Sequence, residues 1–191
     1  ATGLVGQELV NLLLQNGHNV HYLSTSKSKL VTNTNYKGFF WNPKKSEIDT
    51  NALTGVEVII HLAGANVAKK WTTAYKEEII ESRLLSTQLL YQTLQKNSHQ
   101  VKQIISASAV GIYPDSLTDI YHETDLDIDV SFLGNVVKQW ENEVSQFEKL
   151  EIIVSKIRIG IVLAKNGGAL QEMAKPIQYG VGAAFGSGEQ Y

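Results

Sequence analysis

An α/β fold on a mostly parallel sheet is predicted by three observations. Short β-branched runs alternate with longer stretches of helical apolar periodicity, the spacing of βαβ units. Glycine-bearing or small-residue segments follow the predicted strands, which is where ligands sit in such sheets. With 43% apolar and 19% charged residues, the 191-residue chain can bury a real core as one domain, or one domain plus the start of another.

Taken in order, the elements follow from local pattern. Leu4, Val5, Leu9, Val10, Leu12, Leu13 and Leu14 recur as in a helix, and Asn16-Gly17 supplies a stop. Val20 to Leu23 reads as a short strand, followed by a polar stretch through Asn35. Phe39-Phe40-Trp41 forms the next strand, then Asn42-Pro43 opens a loosely helical segment. Val56 to Leu62 reads as a buried strand bounded by Gly55 and Gly64. A long helix is predicted from about Thr73 to Lys96, with Ile79, Ile80, Leu84, Leu85, Leu89, Leu90 and Leu94 on one side. Val101 to Ser106 is a strand, Ser131 to Phe147 a helix, and Ile152 to Leu163 a strongly β-branched strand. From Gly160 the chain turns glycine-rich, with Gly167-Gly168, Gly180, Gly182, Gly186 and Gly188 marking a loop-rich, substrate-side region. The division expected is a first α/β domain over 1–163 and the start of a second region over 164–191, cut short at Tyr191.

Composition excludes several functions. A formal charge of −2 with no basic stripe gives no nucleic-acid footprint and no polybasic membrane patch. The absence of cysteine removes disulfides, thiolate metal sites and a cysteine nucleophile, and fits a cytoplasmic protein. No apolar run approaches the roughly 18 residues of a membrane span, and no signal-peptide pattern is visible. The five histidines show no metal-ligand spacing, and no G-x-S-x-G elbow occurs. The acidic stretch from Asp115 to Asp129 reads as a solvated loop. Oligomeric state leaves no signal.

Four segments carry candidate chemistry. Ala1-Thr2-Gly3-Leu4-Val5-Gly6 matches the back half of a G-x-x-G-x-x-G turn, in which glycines admit a pyrophosphate and the helix start supplies unpaired N–H groups. Such a turn follows a strand, so the sequence reads as lacking its first strand; a glycine loop that binds nothing has the same spacing. Ser24, Ser26 and Lys27 follow the next strand, and no Asp or Glu occurs between Glu8 and Glu47. Hydroxyls with lysine suit a ribose 2′-phosphate, whereas an acid would favour the 2′-hydroxyl of NAD; a solvated loop is the alternative. Leu62, Ala63, Gly64 and Ala65 end the third strand with side chains small enough for a cofactor to lie on the backbone, and a tight turn would ask for the same residues. His61 before them reads as a core histidine. Ser106, Ala107 and Ser108 end the next strand, with Tyr113 close behind; a serine can orient a substrate oxygen and a tyrosine can move a proton. Both residue types also occur there for structural reasons.

Together these segments resemble the extended short-chain dehydrogenase/reductase superfamily, and within it the epimerase-family branch of uncertain substrate. The resemblance rests on A-T-G-L-V-G at 1–6, H-L-A-G-A-N at 61–66 with Trp71-Thr72, E-S-R at 81–83 with Thr87, and S-A-S-A-V-G-I-Y at 106–113. F-L-G-N-V-V-K-Q-W-E at 132–141 and R-I-G-I-V-L-A-K-N-G-G-A-L at 158–170 complete it. It implies a Rossmann-like doubly wound sheet with a smaller C-terminal substrate domain, binding NADP(H) in preference to NAD(H) and an unknown small-molecule substrate. By position it places Thr2, Gly3, Leu4, Val5 and Gly6 at the pyrophosphate, and Ser24 and Ser26 near the adenosine ribose. Leu62 to Ala65 line the cofactor's middle, Ser106 and Ala107 its nicotinamide side, and Arg83 reaches it from below. Ser108 matches the catalytic serine position. The superfamily's Tyr-x-x-x-Lys pair is missing: aligning on Glu141 puts Leu133 and Val137 in its places, and Tyr113 is the candidate substitute. Two activities follow, an oxidoreductase or epimerase with a non-standard site and a nucleotide-binding sensor or partner-binding protein without turnover.

Overall fold

The computed structural model describes residues 1–165, 167–182 and 188. Helix α1 (Leu4–Gln15) leads into β1 (Val20–Ser24), β2 (Tyr36–Asn42) and the short β3 (Glu47–Ile48). Strand β4 (Val58–His61), helix α2 (Thr73–Lys96), β5 (Gln103–Ala109), α3 (Phe132–Ser145) and β6 (Ile153–Ile159) form the second half. A hairpin of β7 (Leu163–Ala164) and β8 (Gly167–Gly168) then precedes α4 (Ala169–Gln178).

Both predicted crossovers are present: β4, β5 and β6 pair in parallel in that order, with α2 and α3 as the connecting helices. The first sheet has the order β1-β2-β3, parallel between β1 and β2 and antiparallel between β2 and β3. Among the described residues the two sheets share no strand pairing; β1 ends one and β4 ends the other. They share a core instead. Trp41 and Leu53 from the first half pack in one cluster with Leu89, Leu90 and Leu94 of α2, Ile104 of β5, and Phe147 and Ile152.

Helix caps place the two crossover helices. Thr72 Oγ1 accepts the Tyr75 N–H at the start of α2, and Ser131 Oγ accepts the Gly134 N–H at the start of α3. The buried stripe of α3 runs through Val137, Trp140, Glu141 and Val144, so a carboxylate lies on an otherwise apolar face.

Several boundaries differ from the pattern reading. β5 starts two residues later and continues to Ala109, because β6 pairs with it along its whole length and holds the extra residues extended. β6 stops at Ile159, just before Gly160, and the β-branched residues beyond it leave the sheet. The two-residue strand β3 and the β7–β8 hairpin are too short to show a periodicity. β4 is less enclosed than its apolar run suggests: Val58 is 45% exposed, on the face shared with the exposed Ile153 and Ile157. Of the glycine-rich segment, Gly186 lies outside the described residues.

Phe147 has no exposed surface and meets Tyr91 edge to face. Phe147→Ala will lower unfolding stability by about 3–5 kcal/mol through lost burial and cavity formation; urea titration followed by far-UV circular dichroism measures it.

Candidate functional site

The glycines at the start of α1 have different causes. A Cβ on Gly6 would come within 2.6 Å of the Ala1 nitrogen, so close packing of the entering chain requires a glycine. A Cβ on Gly3 would meet nothing within 4 Å, and its φ of −91° is open to any residue. Neither packing nor backbone strain accounts for Gly3, and the space beside its Cα is open. α1 has no side-chain cap and no acid in its first turn, leaving its N–H groups and partial positive charge available to an anion. Thr2 and Val5 are exposed, while Leu4 is partly covered by the β7–β8 hairpin, where a Cβ on Gly168 would lie 3.1 Å from it.

At the end of β1, Ser24 is buried and forms a local turn, its Oγ accepting the Ser26 N–H at 3.2 Å. Ser26 Oγ lies 2.9 Å from Ser28 Oγ, and the exposed Lys27 ammonium sits 5.0 Å from the Phe40 ring centre. The cation is therefore steadied at the surface beside two hydroxyls.

At the end of β4, polar bonds stitch the strand to α2. His61 Nε2 lies 3.1 Å from Thr87 Oγ1 and 3.2 Å from Ser86 Oγ. Each hydroxyl has one proton and a close main-chain acceptor: Ser86 donates to Ser82 O at 2.7 Å, and Thr87 to Arg83 O at 2.7 Å. Nε2 must then carry the imidazole proton and donate to both oxygens. The sequence reading of His61 as a core histidine matches this placement. One residue past the glycine, Ala65 N–H donates to Ser82 Oγ at 2.9 Å, and Ala65 O accepts both terminal nitrogens of Arg83 at 3.3 Å. Leu62 and Ala63 are partly buried and Gly64 is exposed.

At the end of β5 the register sets Ser108 beside Arg158 on β6, both directed at α3. Ser108 Oγ donates to Glu141 Oε1 at 2.5 Å, and Arg158 grips the same carboxylate through Nε and Nη2, each at 3.0 Å. Arg158 Nη1 donates to the Tyr113 hydroxyl at 2.6 Å, and that hydroxyl donates to His122 O at 3.1 Å. The Tyr113 ring also meets the Arg158 guanidinium, 5.0 Å from its centre, and a stacked Tyr121, 5.3 Å between centres. Burial pulls the Glu141 pKa upward, but the bonds from Arg158 and Ser108 outweigh it and keep the carboxyl below its ordinary range. Arg158 is raised further above its usual value, chiefly by the bonds to Glu141.

The structure therefore joins Ser108 and Tyr113, the two candidate catalytic residues, through a pair that sequence reasoning used only as family markers. The signal for Glu141 was available, a carboxylate spaced with Val137 and Val144 on the buried stripe of a helix. Ser106 is fully buried and donates to Ala107 O at 3.0 Å; Ala107 points to the opposite face of the sheet. Leu133 is partly buried and Val137 is 4% exposed, whereas Lys138 is exposed and lines a cavity of about 170 Å³ under the 113–128 loop. The acidic stretch in that loop is mostly exposed, and no three acidic or histidine side chains among the described residues converge on a metal position. No described helix is long and apolar enough to cross a membrane.

Burial lowers the His61 pKa from 6.5 to about 4. Between those values the unfolded chain binds the proton and the folded chain does not. The stability is complete above pH 6.5 and falls by about 3 kcal/mol as pH drops to about 4. His61→Gln, which retains a donor for Ser86 and Thr87, will flatten this slope; denaturation midpoints across pH 4–7 measure the change.

Comparisons with known proteins identify the family and the fold. An epimerase family protein of Staphylococcus aureus is 36% identical over 194 residues, covering all of this chain and 62% of its own length. A Staphylococcus saprophyticus epimerase family protein is 34% identical over the same coverage. The chain thus spans less than two thirds of these curated relatives. The crystal structure of the human epimerase family protein SDR39U1 with NADPH superposes at a TM-score of 0.76 and 27% identity, over 99% of this chain and 61% of that one. A nucleoside-diphosphate sugar epimerase from Corynebacterium glutamicum gives 0.77 at 30% identity, over 97% of this chain and 37% of that one. The sequence model of the NAD dependent epimerase/dehydratase family matches residues 1–131. With its Rossmann-type sheet and the strand-end segments in place, the chain belongs to the NAD dependent epimerase/dehydratase family.

Proposed function

We propose that the protein binds a nicotinamide dinucleotide, NADP(H) before NAD(H), and acts as an oxidoreductase or epimerase-like enzyme on a small molecule. The observation that carries this reading is Gly3: a glycine with open space where its side chain would be, at an uncapped helix start. Thr2, Leu4, Val5 and Gly6 complete that turn. Residues 1–163 form the nucleotide-binding part, and the substrate-side region begins at 164. The relative solved with NADPH supports the same assignment.

The bound dinucleotide supplies hydride transfer. The chain's part is to bind and orient. Ser24, Ser26 and Lys27 receive the adenosine ribose and its phosphate, the main chain of Leu62 to Ala65 borders the cofactor's middle, and Ser106 and Ala107 shape the floor of the nicotinamide side. Ser108 donates its O–H hydrogen bond to the Glu141 carboxylate, so toward a substrate it offers lone pairs and accepts from a hydroxyl. Tyr113, its oxygen fixed by Arg158, is the group able to move a proton. A second reading is nucleotide binding without turnover. It is favoured by the apolar Leu133 and Val137 in the Tyr and Lys positions, and by the engagement of both the Ser108 and Tyr113 hydroxyls within the protein.

Titration of the full chain with NADPH and NADH, followed by absorbance assays against carbonyl and alcohol panels, separates these readings. Binding with turnover abolished by Ser108→Ala and reduced at least tenfold by Tyr113→Phe is expected for the enzyme. Tight binding without turnover on any panel member selects the sensor, and no binding of either nucleotide refutes both. Ser26→Asp will weaken NADPH more than NADH, since a carboxylate repels a 2′-phosphate and accepts from a 2′-hydroxyl.

A further inference from the structure

The turn after β4 is held by a cation with no anion. Among the described residues no carboxylate pairs with Arg83, and burial pushes its pKa down. A charge taken from water needs oriented dipoles in its place. Arg83 has the Ala65 carbonyl at 3.3 Å, the Ile79 carbonyl at 2.9 Å and the Trp140 ring face at 5.2 Å. The fit is close on the remaining side. A Cβ on Gly64 would lie 3.1 Å from the guanidinium carbon and 3.2 Å from Nη2. Gly64 is not among the glycines with positive φ, so its backbone does not demand glycine; a Cβ there would instead press on the end of the Arg83 side chain and displace the guanidinium by a few tenths of an ångström.

Both main-chain groups of Ala65 are taken by α2, through Ser82 and Arg83. The main-chain groups of Ala63 and Gly64 find no partner among the described residues. They lie just past the end of β4, with Gly64 exposed, so they are open to solvent or to a ligand. A lysine could supply the charge but not the planar fork that spans two carbonyls while lying flat on an indole.

We infer that Arg83 is a positioning residue: clamped between Gly64 and Trp140, it fixes Ala65 so that the free main chain of Ala63 and Gly64 is presented to the nucleotide. This rests on the nucleotide-binding reading above. It also accounts for Gly64 as the space that the guanidinium fills, and makes Trp140 the back wall of the clamp.

NADPH titrations of the full chain and of R83K, R83M, G64A and the G64A/R83M double variant test it, each after near-UV circular dichroism has matched folded fractions. Both R83K and R83M will weaken NADPH about tenfold, and G64A will do so in the wild-type background. In the R83M background G64A will add less than about twofold, because the group it strikes is gone. Wild-type affinity in both arginine variants overturns the inference. So does R83K binding like wild type while R83M is weak, which makes Arg83 a simple charge contact, and so does full additivity of G64A and R83M. If the wild type binds no nucleotide, the function proposed above fails instead; the same cycle read as melting temperature then decides the clamp alone, additivity refuting it.

Discussion

Ser82, Arg83, Ser86 and Thr87, on adjacent turns of α2, attach the end of β4 and its turn to the helix by side-chain hydrogen bonds. A parallel strand ends where its last ladder bond ends, and the chain beyond it must find other partners. Here those partners are polar groups placed on a helix that also carries Leu89, Leu90 and Leu94 into the core shared by both sheets. The helix is thus fixed by apolar burial on one stretch and spends its polar residues on another. Hydroxyls inside a helix often bond the carbonyl one turn back. That habit leaves Ser86 and Thr87 as acceptors toward His61 and settles which imidazole nitrogen carries the proton.

The second polar cluster is organised differently. Glu141 and Arg158 form a bidentate pair at the edge of the core, with side-chain exposures of 9% and 19%. Such a pair gains little net stability once desolvation is counted, but removing either partner strands the other. What it fixes is direction. Ser108, Tyr113 and the ends of β5 and β6 are all referred to one carboxylate on α3, so the loop after β5 is anchored by Arg158 despite its exposed acidic residues.

Much of this fold was legible in the sequence because α2, α3, β5 and β6 are long enough for burial to show as a period. The predicted bounds of α2, about Thr73 to Lys96, are those observed, since Thr72 caps one end and Asn97 leaves the helical backbone at the other. β3 and the β7–β8 hairpin were not legible: two residues define no period, and their pairing is decided by chain elsewhere. In the site, strand-end serines and glycines could be named from their position. Their partners could not, because Ser108 meets Glu141 and Arg158 across 33 and 50 residues of chain. The surroundings of Gly64 were also hidden: a glycine after a strand reads as a backbone requirement, and only the structure shows the Arg83 guanidinium packed against it.

Val137, the position that the family resemblance aligns with a lysine, is 4% exposed on the stripe that packs α3. An ammonium at that site would be desolvated, and it would shed its proton or drive the helix away from the sheet. Restoring the usual dyad by two substitutions is therefore not a conservative repair. Trp140 and Val144 share that stripe and are nine-tenths or more buried, so the helix would have to be repacked before the chemistry could be exchanged. In engineering terms, the identity of this site is written into the core as much as into its polar groups.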